Sequence, residues 1–317
     1  MPAAIPSIKK RAFLNALELK LRRSRGDMLQ VFLSAVMTKV LGDNFIPATA
    51  HHSKGDLKCD GLLKTPLTVF ACYGPTNAGD GQSAGSLALA VAKVSDDYLG
   101  AAKHWPDLKE WVFVSNYVSG IPPQITQQIL ALEKAHPEHI LKIFGIDQFQ
   151  VAILELDLSD IEELLGDAAS DADFRNVQIP DVQAVINDIT QTFANGGVSD
   201  DQPLIVSAQK LAFNNLPEVY RERIKQGFQN TGDLSEYMLN HPDPTLDGRI
   251  ASIFKAKYLE LKKQALPPDE IMDLLYDFAL GGQRNSTPHE VAVWSLLAHL
   301  FEKCTIFEDQ PSATALQ

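Results

Sequence analysis

Apolar positions in the first forty residues recur three and four apart: Phe13, Leu14, Leu17 and Leu21, then Met28, Val31, Phe32, Ala35, Val36 and Val40. That spacing predicts a helical stripe facing a core. Gly26 separates or kinks its two halves, and Gly42 with Asn44 supplies a stop. An extended run follows from Phe45 to about His51. Residues 55–63 and 67–73 then read as two strands joined at Lys64-Thr65-Pro66, a hairpin. Residues 74–85 are rich in Gly, Ala, Asn and Asp and read as a loop, after which Ser86 caps a helix to about Ala101. Residues 111–116 form a short buried strand, and Pro122 with Pro123 opens a helix to about Ala135. Residues 140–144 and 149–156 read as further strands, and 159–165 as a short helix ending at Gly166. This order of helices and strands predicts an α/β domain over residues 1–166.

Residues 167–180 are acidic and poor in large apolar side chains, so they read as a linker. Beyond them only helical periodicity occurs, over 182–193, 208–228, 234–239, 250–263, 270–280 and 290–301. An all-α domain is therefore expected over 181–308, with a frayed tail over 309–317.

Of the 317 residues, 45% are hydrophobic and 21% charged, which excludes a disordered or collagen-like chain. No apolar run is long enough for a membrane span or of signal-peptide type, so a cytoplasmic protein with no membrane partner is expected. Three scattered cysteines, Cys59, Cys72 and Cys304, predict neither a disulfide framework nor a zinc ribbon. The net charge of −12 argues against a constitutive coat of nucleic acid. The charge is uneven, however. Lys9, Lys10, Arg11, Lys20, Arg22, Arg23 and Arg25 face only Glu18 in their stretch, a candidate nucleic-acid-binding face, whereas residues 155–201 hold many acids against Arg175 alone.

Gly81-Gln82-Ser83-Ala84-Gly85 fits the G-x-S-x-G pattern, but no strand runs directly into Ser83, and the segment reads as a glycine loop. That loop also lacks the Gly-Lys-Ser/Thr ending of a phosphate-binding loop. His289-Glu290 begins like a zinc motif, but Val293 stands at the second ligand position. His51 and His52, adjacent on an extended run, point to opposite faces and receive no role.

The informative segment is Gly55-Asp56-Leu57-Lys58-Cys59-Asp60-Gly61-Leu62-Leu63, followed by Val69-Phe70-Ala71-Cys72-Tyr73-Gly74-Pro75. A long helix, a strand carrying an aspartate and a second strand resemble the PD-(D/E)XK, or restriction-endonuclease-like, nuclease core. The resemblance implies a site in which an Asp and a Glu or Gln hold Mg²⁺ or Mn²⁺ and a Lys two positions on assists the attacking water. Asp60 matches the aspartate. Ala71 stands where the Glu or Gln belongs, Tyr73 where the Lys belongs, and Gln30 where many relatives carry Glu on the first helix. A methyl group binds no metal, and a phenol is neutral at pH 7. The site, with Asp60, Tyr73 and Gln30 as its catalytic candidates, therefore reads as disabled or rebuilt. Asp56 could join Asp60 as a metal ligand, but four residues apart on one strand they stand ~13 Å apart unless a bulge intervenes.

The same segments, with Trp111-Val112-Phe113-Val114-Ser115-Asn116 and the ending Leu300-Phe301-Glu302-Lys303-Cys304-Thr305-Ile306-Phe307-Glu308, resemble proteins of bacterial ABC-three-component conflict systems. Related chains end in a Phe-x-x-Cys-x-Ile-Phe-Glu signature. The resemblance implies an anti-phage or anti-plasmid machine with an ABC or SMC-like ATPase, a small middle component and an accessory or effector chain whose C-terminal domain docks on the others. It places Phe301, Cys304, Ile306 and Phe307 in the partner-binding signature. The expected function is a non-ATPase subunit with an inactive nuclease-like domain that senses or clamps DNA or partners, and a homo-oligomer stands among the expected assemblies. The alternative is an active metal-dependent nuclease using Asp60 with other ligands.

Overall fold

The computed structural model describes residues 5, 7–48, 57–166, 168–192, 209–281, 286–303 and 305–308. Two compact units emerge, one built on Phe13–Leu165 and the other on Gly166–Gln317 together with Ser7–Ala12. Among the described residues no helix is long and apolar enough to cross a membrane.

The first unit is mixed α/β. Helix α1 (Ser7–Arg23) and helix α2 (Asp27–Leu41) are separated at Gly26, and α2 ends at Gly42, both glycines at φ +54. Positive φ is cheap only for glycine, which is why the apolar stripe breaks at these points. Five strands follow in sheet order β1 (Phe45–Pro47), β2 (Gly61–Leu63), β3 (Thr68–Tyr73), β4 (Glu110–Ser115) and β5 (Ile140–Phe144). The pairs β1·β2 and β2·β3 are antiparallel, whereas β3·β4 and β4·β5 are parallel. The parallel pairs are reached through crossover helices α3 (Ala84–His104) and α4 (Pro123–Ala135), as parallel strands require.

Along β3 and β4, Val69, Ala71, Trp111 and Phe113 pack under α3 and α4 with Val94, Tyr98, Ile125 and Ile129. The alternate residues face α2 and α5 (Ile146–Leu154), where Phe70 meets Phe45 at 5.7 Å, and Phe149 meets Phe32 at 5.5 Å and Phe144 at 4.8 Å. Because helices cover both faces, these strands read as continuous apolar runs rather than as alternation. Helix α6 (Leu158–Leu165) closes the unit, and Gly166 follows at φ +84.

The second unit is helical: α7 (Asp171–Arg175), α8 (Ile179–Thr192), α9 (Gln209–Phe213), α10 (Glu218–Gly227), α11 (Thr231–Leu239), α12 (Leu246–Lys263), α13 (Pro268–Leu280) and α14 (Thr287–Glu302). Helix α14 is buried all round from Val291 to Phe301 and is contacted by α7, α8, α10, α11 and α13. A helix apolar on every side belongs at a core centre. Gly227 permits a close crossing of α10 on α14, since a Cβ there would stand 2.5 Å from the Trp294 carbonyl oxygen and 2.8 Å from the Ala298 Cβ.

Several expectations need correction. Residues 149–156 are not a strand. Residues 149–154 belong to α5 and 155–156 turn out of it; Gly145 caps the helix, and the Gln148 side chain accepts its N–H at 2.9 Å. A short apolar run cannot by itself distinguish strand from helix. The capping serine of α3 is Ser83, whose Oγ accepts the Ser86 N–H at 3.1 Å; Ser86 itself lies in the first turn. The helix expected over 208–228 is two, α9 and α10, interrupted by Asn215 at φ 51 and by Pro217. The expected linker is not one, because α7 carries Phe174 at 0% exposure and Ala168 and Ala169 are buried. In the hairpin, pairing begins only at Gly61, after Leu57 and Lys58 at φ 56 and 60. Asp56, His51, His52 and Cys304 lie outside the described residues.

Candidate functional site: the Asp60 hairpin and its surroundings

Asp60 precedes β2 and extends the hairpin by one further step. Its N–H donates to the Phe70 carbonyl at 2.8 Å, while its carboxylate Oδ2 accepts the Cys72 N–H at 2.6 Å. A carboxylate accepting a backbone N–H makes a short, charge-assisted bond. This one replaces a rung of the β2·β3 ladder. Gln30, from α2, reaches the same place with its amide, which donates to the Ala48 carbonyl at 2.5 Å and makes a long 3.5 Å contact to the Asp60 carbonyl. Gln30 and Asp60 are thus brought together, but through the Asp60 backbone rather than its carboxylate.

Tyr73 and Ala71 lie opposite Ser115 and Phe113 in the β3·β4 register. The Tyr73 ring stacks on Phe113 at 6.2 Å and meets Tyr117 at 6.3 Å, and the Ala71 methyl is buried in the same core. Gln82 links the two phenols: its Oε1 accepts the Tyr117 hydroxyl at 3.0 Å, and its Nε2 makes a long 3.5 Å contact to the Tyr73 hydroxyl. Burial pushes the Tyr117 phenol up to about 12. Burial, then the charge of Asp60, pushes the Cys72 thiol well above its ordinary range, so it is no ready nucleophile.

A divalent metal needs several oxygen ligands gathered around one point. Here Asp60 offers a carboxylate already engaged by Cys72, beside a methyl, a thiol and a ring-packed phenol. These residues do not fit Mg²⁺ or Mn²⁺. Among the described residues no group of three His, Cys, Asp or Glu side chains could hold a metal ion.

The carboxyl ends of β3 and β4 also hold the bend between α1 and α2. The Gly26 N–H donates to the Gly74 carbonyl at 2.9 Å, and a Cβ on Gly74 would stand 2.8 Å from Gly26 N and 2.9 Å from the Ser24 carbonyl oxygen. The buried Asn116 amide donates to the Leu21, Ser24 and Pro75 carbonyls at 3.1 to 3.2 Å. Asn116 and Gln82 were not anticipated as site residues. The only signal for Asn116 is a lone amide at the end of an apolar strand.

The basic residues of α1 do not form one surface. At about 100° per residue, Arg11 and Arg22 fall opposite Lys9, Lys20 and Arg23, with Lys10 between. Arg22 is buried between Glu18 at 3.0 Å and Asp80 at 2.7 Å; burial works against its charge, but the two carboxylates hold its pKa above the ordinary value. Arg11 pairs with Glu222 at 2.5 Å, and the Lys20 ammonium sits 5.7 Å over the Phe32 ring. Lys10 and Arg25 are exposed.

The expected partner-binding signature is internal. Phe301, Ile306 and Phe307 are buried, with Phe307 5.8 Å from Phe301 and 5.2 Å from Tyr258. The fully buried Lys210 donates to the Phe301 carbonyl at 2.5 Å and the Ile306 carbonyl at 3.1 Å. Asn214 exchanges bonds with the Glu308 backbone, donating to its carbonyl at 2.7 Å and accepting its N–H at 3.2 Å. Three large apolar side chains are buried within the chain and the Phe301, Ile306 and Glu308 carbonyls accept bonds from α9 and the residue that follows it, so the signature ties the C-terminal strap to α9 and α14.

Comparison with curated proteins and with solved structures returned no match. Residues 180–308 match the model of C-terminal domain 10 of the ABC-three component (ABC-3C) systems, and this match supports a protein of an ABC-three component system.

Proposed function

We propose that this chain is a non-ATPase subunit of a bacterial ABC-three-component defence complex directed against phage or plasmid DNA, and that its first unit is a restriction-endonuclease-like binding module without metal chemistry of its own. A leading helix, three antiparallel strands and a fourth strand joined in parallel through a crossover helix support the nuclease-like reading of the fold. The observation that carries the loss of cutting is the Asp60 carboxylate engaged by the Cys72 N–H, beside Ala71 and a core-packed Tyr73.

The partners in this reading are an ABC or SMC-like ATPase and a small middle component, which the second unit docks. Because the signature side chains are internal, docking falls to the outward faces of its helices. DNA contact in this reading comes from the basic stretch of α1 and the residues just after it, where Lys10 and Arg25 are exposed.

The test incubates the full chain, with its partner subunits, with DNA and Mg²⁺ or Mn²⁺. DNA retention that weakens steeply with salt, without cutting, is the expected result. Divalent-dependent cutting that disappears in Asp60→Ala would sink the proposal.

A further inference from the structure

Buried from Val291 to Phe301, α14 still carries an ionisable ring: His299 is fully buried. A ring nitrogen in that place costs free energy unless something bonds it, and both nitrogens have partners. Nε2 stands 3.2 Å from the Asp247 carboxylate on α12, and Nδ1 stands 3.4 Å from the Ser235 hydroxyl on α11. Three helices thus line up a serine, a histidine and an aspartate.

The carboxylate decides which way the protons run. The His299 bond and then the Lys303 ammonium keep Asp247 ionised, although its burial works the other way. An ionised Asp only accepts, so Nε2 carries the hydrogen and the neutral ring has its lone pair on Nδ1. Ser235 must then donate to Nδ1, and its proton already lies on the path to a base. The 3.4 Å separation is long for a hydrogen bond, as nucleophile–base pairs often are before a substrate tightens them.

His299 is sealed from water, but Ser235 is only half-buried. Helical side chains lean over the turn before them. One turn before Ser235 is Gly232, where a Cβ would stand in open space. The hydroxyl can therefore be reached from outside while its base stays dry. Inside α11 the N–H groups beside the hydroxyl are spent on the helix ladder and stabilise no oxyanion. That restricts its substrates to esters whose leaving group departs readily.

We infer that Ser235 is a nucleophile activated by His299, with Asp247 as its positioning residue, and that it takes acyl groups from activated esters such as aryl esters. The Ser235 oxygen bonds to the acyl carbon and its proton passes to His299 Nδ1. The bond from the acyl carbon to the aryl oxygen then breaks, and the phenol leaves with that proton. Water enters by the same route, frees the serine and leaves with the acyl group as a carboxylic acid. This activity belongs to the helical unit and does not depend on whether the first unit binds or cuts DNA.

The test incubates the full chain with p-nitrophenyl acetate over a range of pH and locates the acetyl groups by peptide mass spectrometry. The wild type should carry acetyl on Ser235, and faster as pH rises and the imidazole gives up its proton. His299→Gln should slow acetylation of Ser235 about a hundredfold and flatten its pH dependence. Asp247→Asn should move the midpoint of the pH profile down, because the imidazolium loses its counter-charge, a shift that loss of packing alone would not produce. A folded wild type that leaves Ser235 unmodified while its lysines are acetylated would overturn the inference. So would acetylation of Ser235 at one rate whether His299 is present or replaced. Should His299→Gln fail to fold by circular dichroism, the wild-type profile decides alone, and a rate that ignores pH overturns the inference.

Discussion

At the scale of single residues, the two interpretations of Asp60 make opposite predictions about stability. A residue that replaces a rung of a ladder matters to the fold, so Asp60→Ala should cost about 1–3 kcal/mol in urea unfolding by leaving the Cys72 N–H without its acceptor. Asp60→Asn keeps an oxygen acceptor and should cost less than half as much. Equal, negligible losses would contradict the structural role. Position 60 was legible from the sequence because Asp beside Gly before an apolar run marks a hairpin, but its bond was not, since nothing local says that the carboxylate turns back onto the neighbouring strand. Asp247 carries a second prediction. Its bond with the buried His299, at 3.2 Å, and then the Lys303 ammonium hold its carboxyl down to about 2 from an ordinary 3.8, against the opposing effect of burial. A depressed folded-state pKa contributes stability above the unfolded value that is lost as pH falls toward the folded value. The stability difference between wild type and Asp247→Asn should therefore be full at about pH 5 and clearly smaller at about pH 3, as read from unfolding curves. A difference that does not change over that range would contradict the pairing.

At the scale of elements, periodicity identified what is long and regular and failed where tertiary partners decide. The break at Gly26, the hairpin turn, β4, α4 and, in the second unit, α8 and α11 to α14 follow from spacing, glycine and proline, whereas α7 and the division of α9 from α10 do not. Helix α5 does not, because Phe149, Val151 and Ile153 alternate as a strand would; what makes it helical is the turn at Gly145 and the packing of Phe149 between Phe32 and Phe144. The supposed linker failed for a related reason. Its acids suggest solvent, but the element is anchored from far away in sequence: Glu290 accepts the Ala169 N–H at 3.0 Å, the buried Arg223 donates to the Ala169 carbonyl at 2.8 Å, and the two side chains pair at 3.2 Å. Glu290→Ala would strand a buried guanidinium, so it should destabilise the chain by about 3–5 kcal/mol and raise hydrogen exchange at Ala169 and along α7. A loss below about 1 kcal/mol would show that this pair does not hold the segment.

At the scale of the whole chain, the two units divide the work. The helical unit carries the match to an ABC-three component domain and encloses its own C-terminal signature; the α/β unit carries a mixed five-stranded sheet, which the proposed function reads as a nuclease-like module. The signature was legible as a pattern, but not as an internal clasp, because burial of Phe301, Ile306 and Phe307 depends on Lys210 and Asn214, some ninety positions away. The central claim is that the α/β unit keeps the outline of a metal-dependent nuclease without its metal chemistry. Titration of Mn²⁺ into the full chain, followed by the electron paramagnetic resonance of the free ion, tests it most directly. The account predicts that wild type and Asp60→Asn leave the same fraction of Mn²⁺ free at every point, whereas one equivalent bound by the wild type and released by Asp60→Asn would contradict it.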